Sequence, residues 1–238
     1  MHPLDNVVWH SLNTRHAALA ESFDEACRFI PEISTIAAFR EPTERGYASL
    51  AKLCKAGQVV NLALNEALES APQGWSLVRG TPMPQMVYEK DGRQLSESAE
   101  DREILEPEAA DAADMMELTE LTKPGPFAKR THELGTYLGI RIDGKLIAMA
   151  GERLKVPGYT EVSAICTHPD HTGRGHARVL TTEIMRRILD RGETPFLHVR
   201  QDNFRAIELY ERLGFRCRVV RYHAVLRRED NEKVASVF

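Results

Sequence analysis

The stretch HPDHTGRGHARVL, residues 168–180, contains two glycines one residue apart, with arginines between and after them. It follows the apolar run VSAIC and opens a segment with helical periodicity, so it marks a junction between a strand and a helix. Gly173 and Gly175 permit positive φ angles and leave the backbone open to a ligand. The unpaired N–H groups and the dipole of a helix N-terminus attract anions. The junction therefore predicts a phosphate-binding turn, to which Arg174 and Arg178 can add positive charge.

Two common phosphate-binding motifs do not fit this turn. No Gly-Lys-Ser/Thr sequence follows Gly175, as a Walker motif requires. A dinucleotide fingerprint needs a third glycine where Arg178 stands and an acidic residue near the end of the next strand, whereas Glu193 precedes that strand. A simple turn into a helix, with no ligand, remains an alternative for the glycine pair.

Composition predicts an ordinary globular protein. The chain has 238 residues, of which 42% are hydrophobic, so it is long enough for one large domain or two small ones. No apolar run approaches the roughly 20 residues of a membrane span, and the N-terminus lacks signal-peptide features, so we expect a cytoplasmic protein. The four cysteines form no C-x-x-C pair, and we expect neither a metal site nor disulfides.

Charge is distributed unevenly along the chain. The net charge is -4, but residues 171–228 contain 13 arginines and 6 acidic residues. This local positive charge suits an anionic ligand near the glycine pair, and a solvated arginine face explains it equally well. Binding of nucleic acid is a third interpretation, although no known DNA- or RNA-binding motif accompanies the arginines.

Periodicity and breaker residues divide the chain into two parts. Residues 1–95 are predicted to form an α/β domain, with helices followed by a few strands, and the polar segment 90–103 is predicted to be a linker. Residues 102–228 form the second predicted domain. Its elements are a helix before Pro124, a hairpin with a type I′ turn at Asp143-Gly144, strand 160–166, helix 175–191, strand 195–199, a helix from Asn203 to Gly214, and strand 218–228. This order predicts a mixed sheet with helices on its faces.

Two segments of the second domain resemble the signature regions of a known superfamily. EVSAICTHPDHTGRGHARVL and NFRAIELYERLGF are similar to the motifs of the GNAT superfamily of acetyl-CoA-dependent N-acetyltransferases, and the resemblance covers about residues 102–228. The first family motif ends Q/R-x-x-G-x-G/A, matched here by Thr172, Gly175 and Ala177. Thr172 departs from the usual Gln or Arg, which affects one side-chain contact and leaves the backbone amides that hold a pyrophosphate.

The resemblance implies both a fold and a coenzyme site. The implied fold is an α/β GNAT fold, a mixed central sheet with splayed parallel strands and helices on both faces, plus a smaller N-terminal α/β domain, for which a degenerate GNAT-like unit is one interpretation. Free backbone groups beside the splay would bind the pantetheine arm and the thioester carbonyl, and Asn203 would contact a pantetheine amide, cap its helix, or do both. The positions implied to bind acetyl-CoA are Ile165, Cys166, Thr167, Thr172, Gly173, Arg174, Gly175, His176, Ala177, Arg178, Asn203 and Ala206.

Acetyl transfer needs a neutral amine, a polarised carbonyl and a proton for the departing thiolate. The resemblance implies that Tyr210 supplies that proton, and that Glu161 accepts the proton of the amine through water. The alternatives are a core tyrosine and an ordinary charge at a strand end. The expected partners are acetyl-CoA as cosubstrate and a small-molecule or peptide amine, without metal, nucleic acid or membrane, and a homodimer is left open. A catalytically silent coenzyme A-binding or sensing module is the main alternative function.

Overall fold

The computed structural model of the chain describes residues 2–90 and 103–230. The helices are α1 (Val7–Leu12), α2 (Glu44–Leu53), α3 (Ala112–Thr122), α4 (His176–Asp190) and α5 (Phe204–Arg212). The strands are β1 (Ala20–Phe23), β2 (Ala26–Phe29), β3 (Ala37–Phe39), β4 (Val59–Leu64), β5 (Trp75–Tyr88), β6 (Tyr137–Ile142), β7 (Lys145–Val156), β8 (Tyr159–Thr167), β9 (Thr194–His198) and β10 (Phe215–Arg228). None of these helices is long and apolar enough to cross a membrane.

Seven strands form one mixed sheet in the order β4-β10-β5-β9-β8-β7-β6. Strands β8 and β9 are parallel, as expected for two strands joined by a helix, and the other neighbouring pairs are antiparallel. Strands β1, β2 and β3 form a separate three-stranded antiparallel sheet. The predicted fold class, a mixed α/β sheet with helices on both faces, is confirmed.

The two faces of the main sheet are covered by different parts of the chain. Helices α4 and α5 pack on one face, in an apolar cluster that includes Val162 of β8 and Leu197 of β9. On the other face, α1 and the small sheet pack against Phe196 and Val156. Helix α3 covers the same face farther along, against Met149 and other residues of β6 to β8. Consecutive strand residues alternate between these two environments, which fixes the register of β8 and β9.

The predicted division into domains at 1–95 and 102–228 stays a prediction, but the sheet does not stop at it. Strand β5 belongs to the N-terminal segment and lies between β9 and β10, and β4 pairs with the outer edge of β10. Neither segment alone completes the sheet. Most of the predicted linker, residues 91–102, lies outside the described residues.

Local signals predicted the C-terminal elements well. Asp143 and Gly144 both have positive φ, 51° and 79°, as a type I′ turn between β6 and β7 requires. Helix α3 ends at Lys123 in the left-handed conformation, directly before Pro124. The N-terminal half was predicted less well, because β1, β2 and β3 precede α2 and were expected after the helices.

Candidate active site

The glycine junction has the geometry that the sequence predicts. Gly173 and Gly175 have φ angles of 79° and 80°, and Gly175 is the N-cap of α4. A Cβ built on Gly173 would have no atom of the described residues within 4 Å, so its outer side is open. Arg178 is exposed in the first turn of α4, and His176 is buried. The turn can therefore present backbone N–H groups to an anion without a side chain between them.

Strands β8 and β9 separate beside this turn. Their parallel pairing runs from Tyr159 opposite Thr194 to Glu161 opposite Phe196, and β8 continues to Thr167. A bulge follows the last pair, where Ala164 has a φ of 52° and the register with β7 shifts. The separation confirms the predicted splay of the parallel strands.

The end of β8 has backbone groups directed into the splay. The N–H of His168 donates to the carbonyl of Ile147 in β7 at 2.7 Å. Because N–H groups of a strand alternate in direction, those of Ile165 and Thr167 face the other way, toward the space that β9 has left. The hydroxyl of Thr167 is also buried and has no hydrogen-bond partner within the described residues. An open glycine turn, free strand amides and this hydroxyl fit the pantetheine and pyrophosphate of a coenzyme A molecule.

Several predicted coenzyme positions surround the splay. Ile165, Ala206 and Tyr210 belong to one apolar cluster on the α4 and α5 side of the sheet. Cys166 lies on the opposite face, against α3, and burial raises the pKa of its thiol to about 11. The side chain of Cys166 therefore points away from the helices, and any contact with a ligand would be through its backbone. Asn203 Oδ1 accepts from the N–H of Ala206 at 3.3 Å, so the predicted helix cap is present.

Tyr210 is buried, with its ring edge-on to Phe215 at a centroid distance of 6.1 Å. Its hydroxyl makes no hydrogen bond to another residue in the ranges 2–90 and 103–230. Burial raises the pKa of Tyr210, so the phenol is protonated at neutral pH. A protonated, unengaged hydroxyl can donate to a ligand group, and the same ring also contributes to the core.

A row of polar side chains crosses five adjacent strands on the α1 and α3 side of the sheet. Arg218 Nη1 of β10 donates to Gln85 Oε1 of β5 at 3.0 Å, and Gln85 Nε2 lies 3.1 Å from His198 Nε2 of β9. His198 Nδ1 lies 2.7 Å from Glu161 Oε1 of β8. Arg153 of β7 completes the row with two hydrogen bonds to Glu161, from Nε at 2.8 Å and from Nη2 at 2.7 Å.

The hydrogen bonds of this row fix the orientation of each member. Gln85 Oε1 accepts from Arg218, so its amide nitrogen faces His198 Nε2, which must accept. His198 therefore carries its proton on Nδ1 and donates it to Glu161. At the other end of the row, Arg153 and Glu161 form a bidentate ion pair, in which two N–H groups of the guanidinium donate to the two carboxylate oxygens. This geometry gives stronger hydrogen bonds than a pair of neutral groups.

The surroundings of Glu161 disfavour the predicted role as a base. Its side chain is fully buried, and both oxygens accept hydrogen bonds from Arg153. Burial by itself would raise the pKa of Glu161, but the charge and hydrogen bonds of Arg153, with the hydrogen bond of His198, hold it well below its usual value. A base must be able to take a proton near the working pH. The role of Glu161 stays a prediction, and its position favours support of Arg153 over proton transfer.

A cavity opens beside the bulge on the same face as the polar row. It is lined by segment 124–127 together with Arg153, Ser163 and Ala164. Residues 125–127 also border a groove of about 580 Å³, whose other walls are α3 and Ser34 with Thr35. The N-terminal segment thus forms one wall of a cleft that leads to the end of β8.

Hydrogen bonds join the loop beside this cavity, residues 130–134, to the N-terminal segment. Thr131 Oγ1 donates to the carbonyl of Ile33 at 2.5 Å, and the N–H of Arg130 donates to the carbonyl of Glu32 at 2.9 Å. His16 adds a third contact, with Nε2 3.1 Å from the carbonyl of Leu134. These bonds hold the two walls of the groove together.

Sequence reasoning did not identify Arg153, His198 or Gln85. Nothing in the sequence separates the strands that carry them from ordinary structural strands. The three residues meet only because β7, β9 and β5 belong to the same sheet. The one local signal was a polar residue inside an apolar run, as in PFLHV and PQMVY. Among residues 2–90 and 103–230 no group of His, Cys, Asp or Glu has the arrangement of a metal site.

Comparisons with known proteins agree with this architecture. A family model described as FR47-like protein matches residues 137–224. N-alpha-acetyltransferase RimI of Mycobacterium tuberculosis (strain ATCC 25618 / H37Rv) is 38% identical over 101 residues, which are 39% of this chain and 61% of that protein. The chain thus spans less than two thirds of the length of that curated relative.

Two solved structures extend the similarity over nearly the whole chain. A protein of Novosphingobium aromaticivorans DSM 12444, assigned to the GNAT family of acetyltransferases, is 34% identical, with a TM-score of 0.87 over 97% of this chain and 100% of the other. A GCN5-related N-acetyltransferase from Kribbella flavida shares the fold at 14% identity, with a TM-score of 0.64 over 97% and 98% of the two chains. The chain belongs to the GNAT family of acetyltransferases, as the two sequence motifs predicted.

Proposed function

We propose that this protein transfers an acetyl group from acetyl-CoA directly to a primary amine. The observation that carries the proposal is the combination of the open glycine turn at the start of α4 with the splay of β8 from β9. Acetyl-CoA supplies the acetyl group as a thioester. The amides of 173–177 hold its pyrophosphate, and the free amides of Ile165 and Thr167 hold the pantetheine arm and polarise the thioester carbonyl.

Tyr210 is the proposed acid. Its hydroxyl donates a proton to the thiolate that leaves when the amine nitrogen bonds to the acetyl carbon. Burial raises the pKa of Tyr210 and so keeps the phenol protonated at neutral pH, which leaves a proton donor in place when the C–S bond breaks. The amine enters in its neutral form, its excess proton passes to water, and the Tyr210 phenolate regains a proton from water.

The acceptor is proposed to bind in the cavity beside the bulge and in the adjoining groove. This places it on the α3 side of β8, with the coenzyme on the α4 side. The N-terminal segment contributes Ser34 and Thr35 to the groove, which supports a role for that segment in the choice of acceptor.

The test is release of coenzyme A from acetyl-CoA in the presence of a library of amines, amino acids and peptides with free N-termini. We expect at least one amine to raise the rate of release well above hydrolysis, and mass spectrometry to show that amine acetylated. Tight binding of coenzyme A without acceleration by any amine would instead support the silent sensing module.

A further inference from the structure

One edge of the Arg153 guanidinium makes no hydrogen bond to any of the described residues. Nε and Nη2 bind Glu161, whereas Nη1 makes no hydrogen bond with any residue in the described ranges. This nitrogen reaches the cavity wall, since a Cβ built on Gly125 would lie 3.6 Å from it. The side chain is only 14% exposed. Two N–H donors are therefore held in a narrow space where few groups can satisfy them.

The charge around this edge is balanced. Glu161 neutralises the guanidinium and also lies within hydrogen-bond distance of His198. The groove beyond the cavity carries Glu120 and Lys123, whose charges also cancel. The net charge of a ligand therefore contributes little to its binding here. An oxygen that accepts a hydrogen bond from Nη1 contributes more.

The position of the cavity limits where that oxygen lies in the acceptor. Ser163 and Ala164 line it together, as two consecutive bulge residues on one face, and Ile165 follows them at the splay. The cavity therefore holds Arg153 on the acceptor side of β8, beside the two residues that precede the proposed thioester contacts at Ile165 and Thr167. In the unit N–C–C=O the amine nitrogen and the oxygen are separated by two carbon atoms.

We infer that Arg153 binds an oxygen of the acceptor through Nη1, and that the acceptor is an amine with a carbonyl or carboxylate carbon on its α-carbon. This chemistry belongs to the N-terminus of a peptide and to a free α-amino acid. Glu161 is a positioning residue in this arrangement, because it holds the other edge of the guanidinium. The inference rests on the proposed function.

The test compares three acceptors in the coenzyme A release assay. L-alaninamide carries an amide carbonyl, L-alanine carries a carboxylate, and isopropylamine has the same branched carbon without either. Rates are expressed as kcat/KM for the neutral amine, which removes differences in the fraction of each amine that is protonated. We expect at least one oxygen-bearing acceptor to exceed isopropylamine roughly tenfold or more, as a hydrogen bond to a charged donor predicts. The better of the two distinguishes a peptide N-terminus from a free amino acid.

Two variants connect this preference to Arg153. Arg153→Lys keeps a charge opposite Glu161 but loses the planar fork, and Arg153→Gln with Glu161→Gln replaces the ion pair by two neutral amides. We expect both to lower the preference for the oxygen-bearing acceptor at least fivefold, mainly through KM. Arg141→Gln is the control, because Arg141 pairs with Asp111 and Asp114 away from the cavity. Thermal unfolding of each variant shows which of the two is folded and usable.

The outcomes separate the inference from the proposed function. Equal kcat/KM values for isopropylamine and the other two acceptors, or an unchanged preference in a folded Arg153 variant, would overturn the role of Arg153 and leave acetyl transfer intact. If none of these amines nor any library member releases coenzyme A, the proposed function fails, and the inference fails with it.

Discussion

At the scale of single residues, two groups that the sequence singled out differ in their surroundings. Tyr210 is buried and has a hydroxyl without a partner among the described residues, whereas Glu161 is buried with both oxygens bound. The hydroxyl of Tyr210 can donate to a ligand, whereas the oxygens of Glu161 already accept hydrogen bonds from Arg153. Substitution of Tyr210 should therefore lower activity more than stability, and substitution of Glu161 should lower stability more than activity.

Tyr210→Phe keeps the ring packed against Phe215 and removes the proposed proton donor. We expect kcat to fall roughly 10- to 1,000-fold, the usual range for loss of an acid. Affinity for coenzyme A, measured by calorimetry, should stay within about threefold. Tyr159→Phe is the control, because its hydroxyl contacts His2 at the other end of β8. Full activity in Tyr210→Phe would show that this tyrosine acts only as a core residue.

Glu161→Gln breaks a buried ion pair, so we expect the free energy of unfolding at pH 7 to fall by about 3–5 kcal/mol. Because the pKa of Glu161 is lowered in the folded state, its contribution is complete above its ordinary value of 4.5 and is lost as the pH falls below it. The difference between variant and parent should therefore shrink toward pH 3 in denaturant titrations.

Glu183→Gln, which removes a more exposed carboxylate beside Arg186 and Arg187, should cost at most about 1 kcal/mol. A Glu161→Gln protein as stable as the parent, with turnover lost mainly at low pH, would restore Glu161 as the base.

At the scale of elements, the bulge in β8 shapes the candidate site. It turns the strand away from β9 and places Ser163 and Ala164 on one face. Ala164 has a left-handed backbone, which costs a residue with a Cβ roughly 1–2 kcal/mol. Such backbone strain persists where the surrounding structure imposes it, and here it occurs where β8 separates from β9.

Ala164→Gly should relieve that cost, so we expect an unfolding free energy equal to the parent's or up to about 1 kcal/mol higher. Ala148→Gly, in the fully buried middle of β7, should instead lose about 1 kcal/mol, as glycine does in a regular strand. Chemical denaturation of both variants gives the comparison. A loss at position 164 as large as that at 148 would contradict the strained bulge.

The sequence predicted the parts of the candidate site that lie close together along the chain. The turn from 172 to 177, the helix start at Asn203 and the tyrosine of that helix are local patterns, and the motif match connects them. The polar row is different, because Gln85 and His198 are 113 positions apart and meet only through strand pairing. The insertion of β5 between β9 and β10 is equally non-local, so no periodicity within 1–95 could predict it.

At the scale of the whole molecule, the N-terminal segment has two functions in the structure. It supplies β4 and β5 to the main sheet, and it forms a wall of the groove. Asp5 pairs with Arg218 at the end of the polar row, so the beginning of the described chain also supports the center of the sheet. We therefore expect coenzyme binding to depend on this segment through β9, although the segment contains none of the proposed coenzyme contacts.

Removal of residues 1–102 should leave a chain that does not fold. Strand β9 would lose its antiparallel partner and β10 would lose both of its neighbours, which exposes unpaired edges and the apolar residues beneath them. We expect aggregation, or a circular dichroism spectrum without a cooperative thermal transition. Coexpression with residues 1–100 should restore a soluble complex. Cooperative unfolding of the truncated chain alone would show that residues 103–238 form an independent domain.

The central claim is that the turn at Gly173 and Gly175 binds the pyrophosphate of coenzyme A, and calorimetric titration with coenzyme A tests it most directly. Gly173→Val and Gly144→Val are a matched pair, because both glycines have a φ of 79° and open space where a Cβ would stand. Backbone strain should therefore destabilise both variants equally. We expect Gly173→Val to weaken the affinity for coenzyme A at least tenfold, or about 1.4 kcal/mol, and Gly144→Val to bind like the parent. Equal affinity in the two folded variants would contradict it.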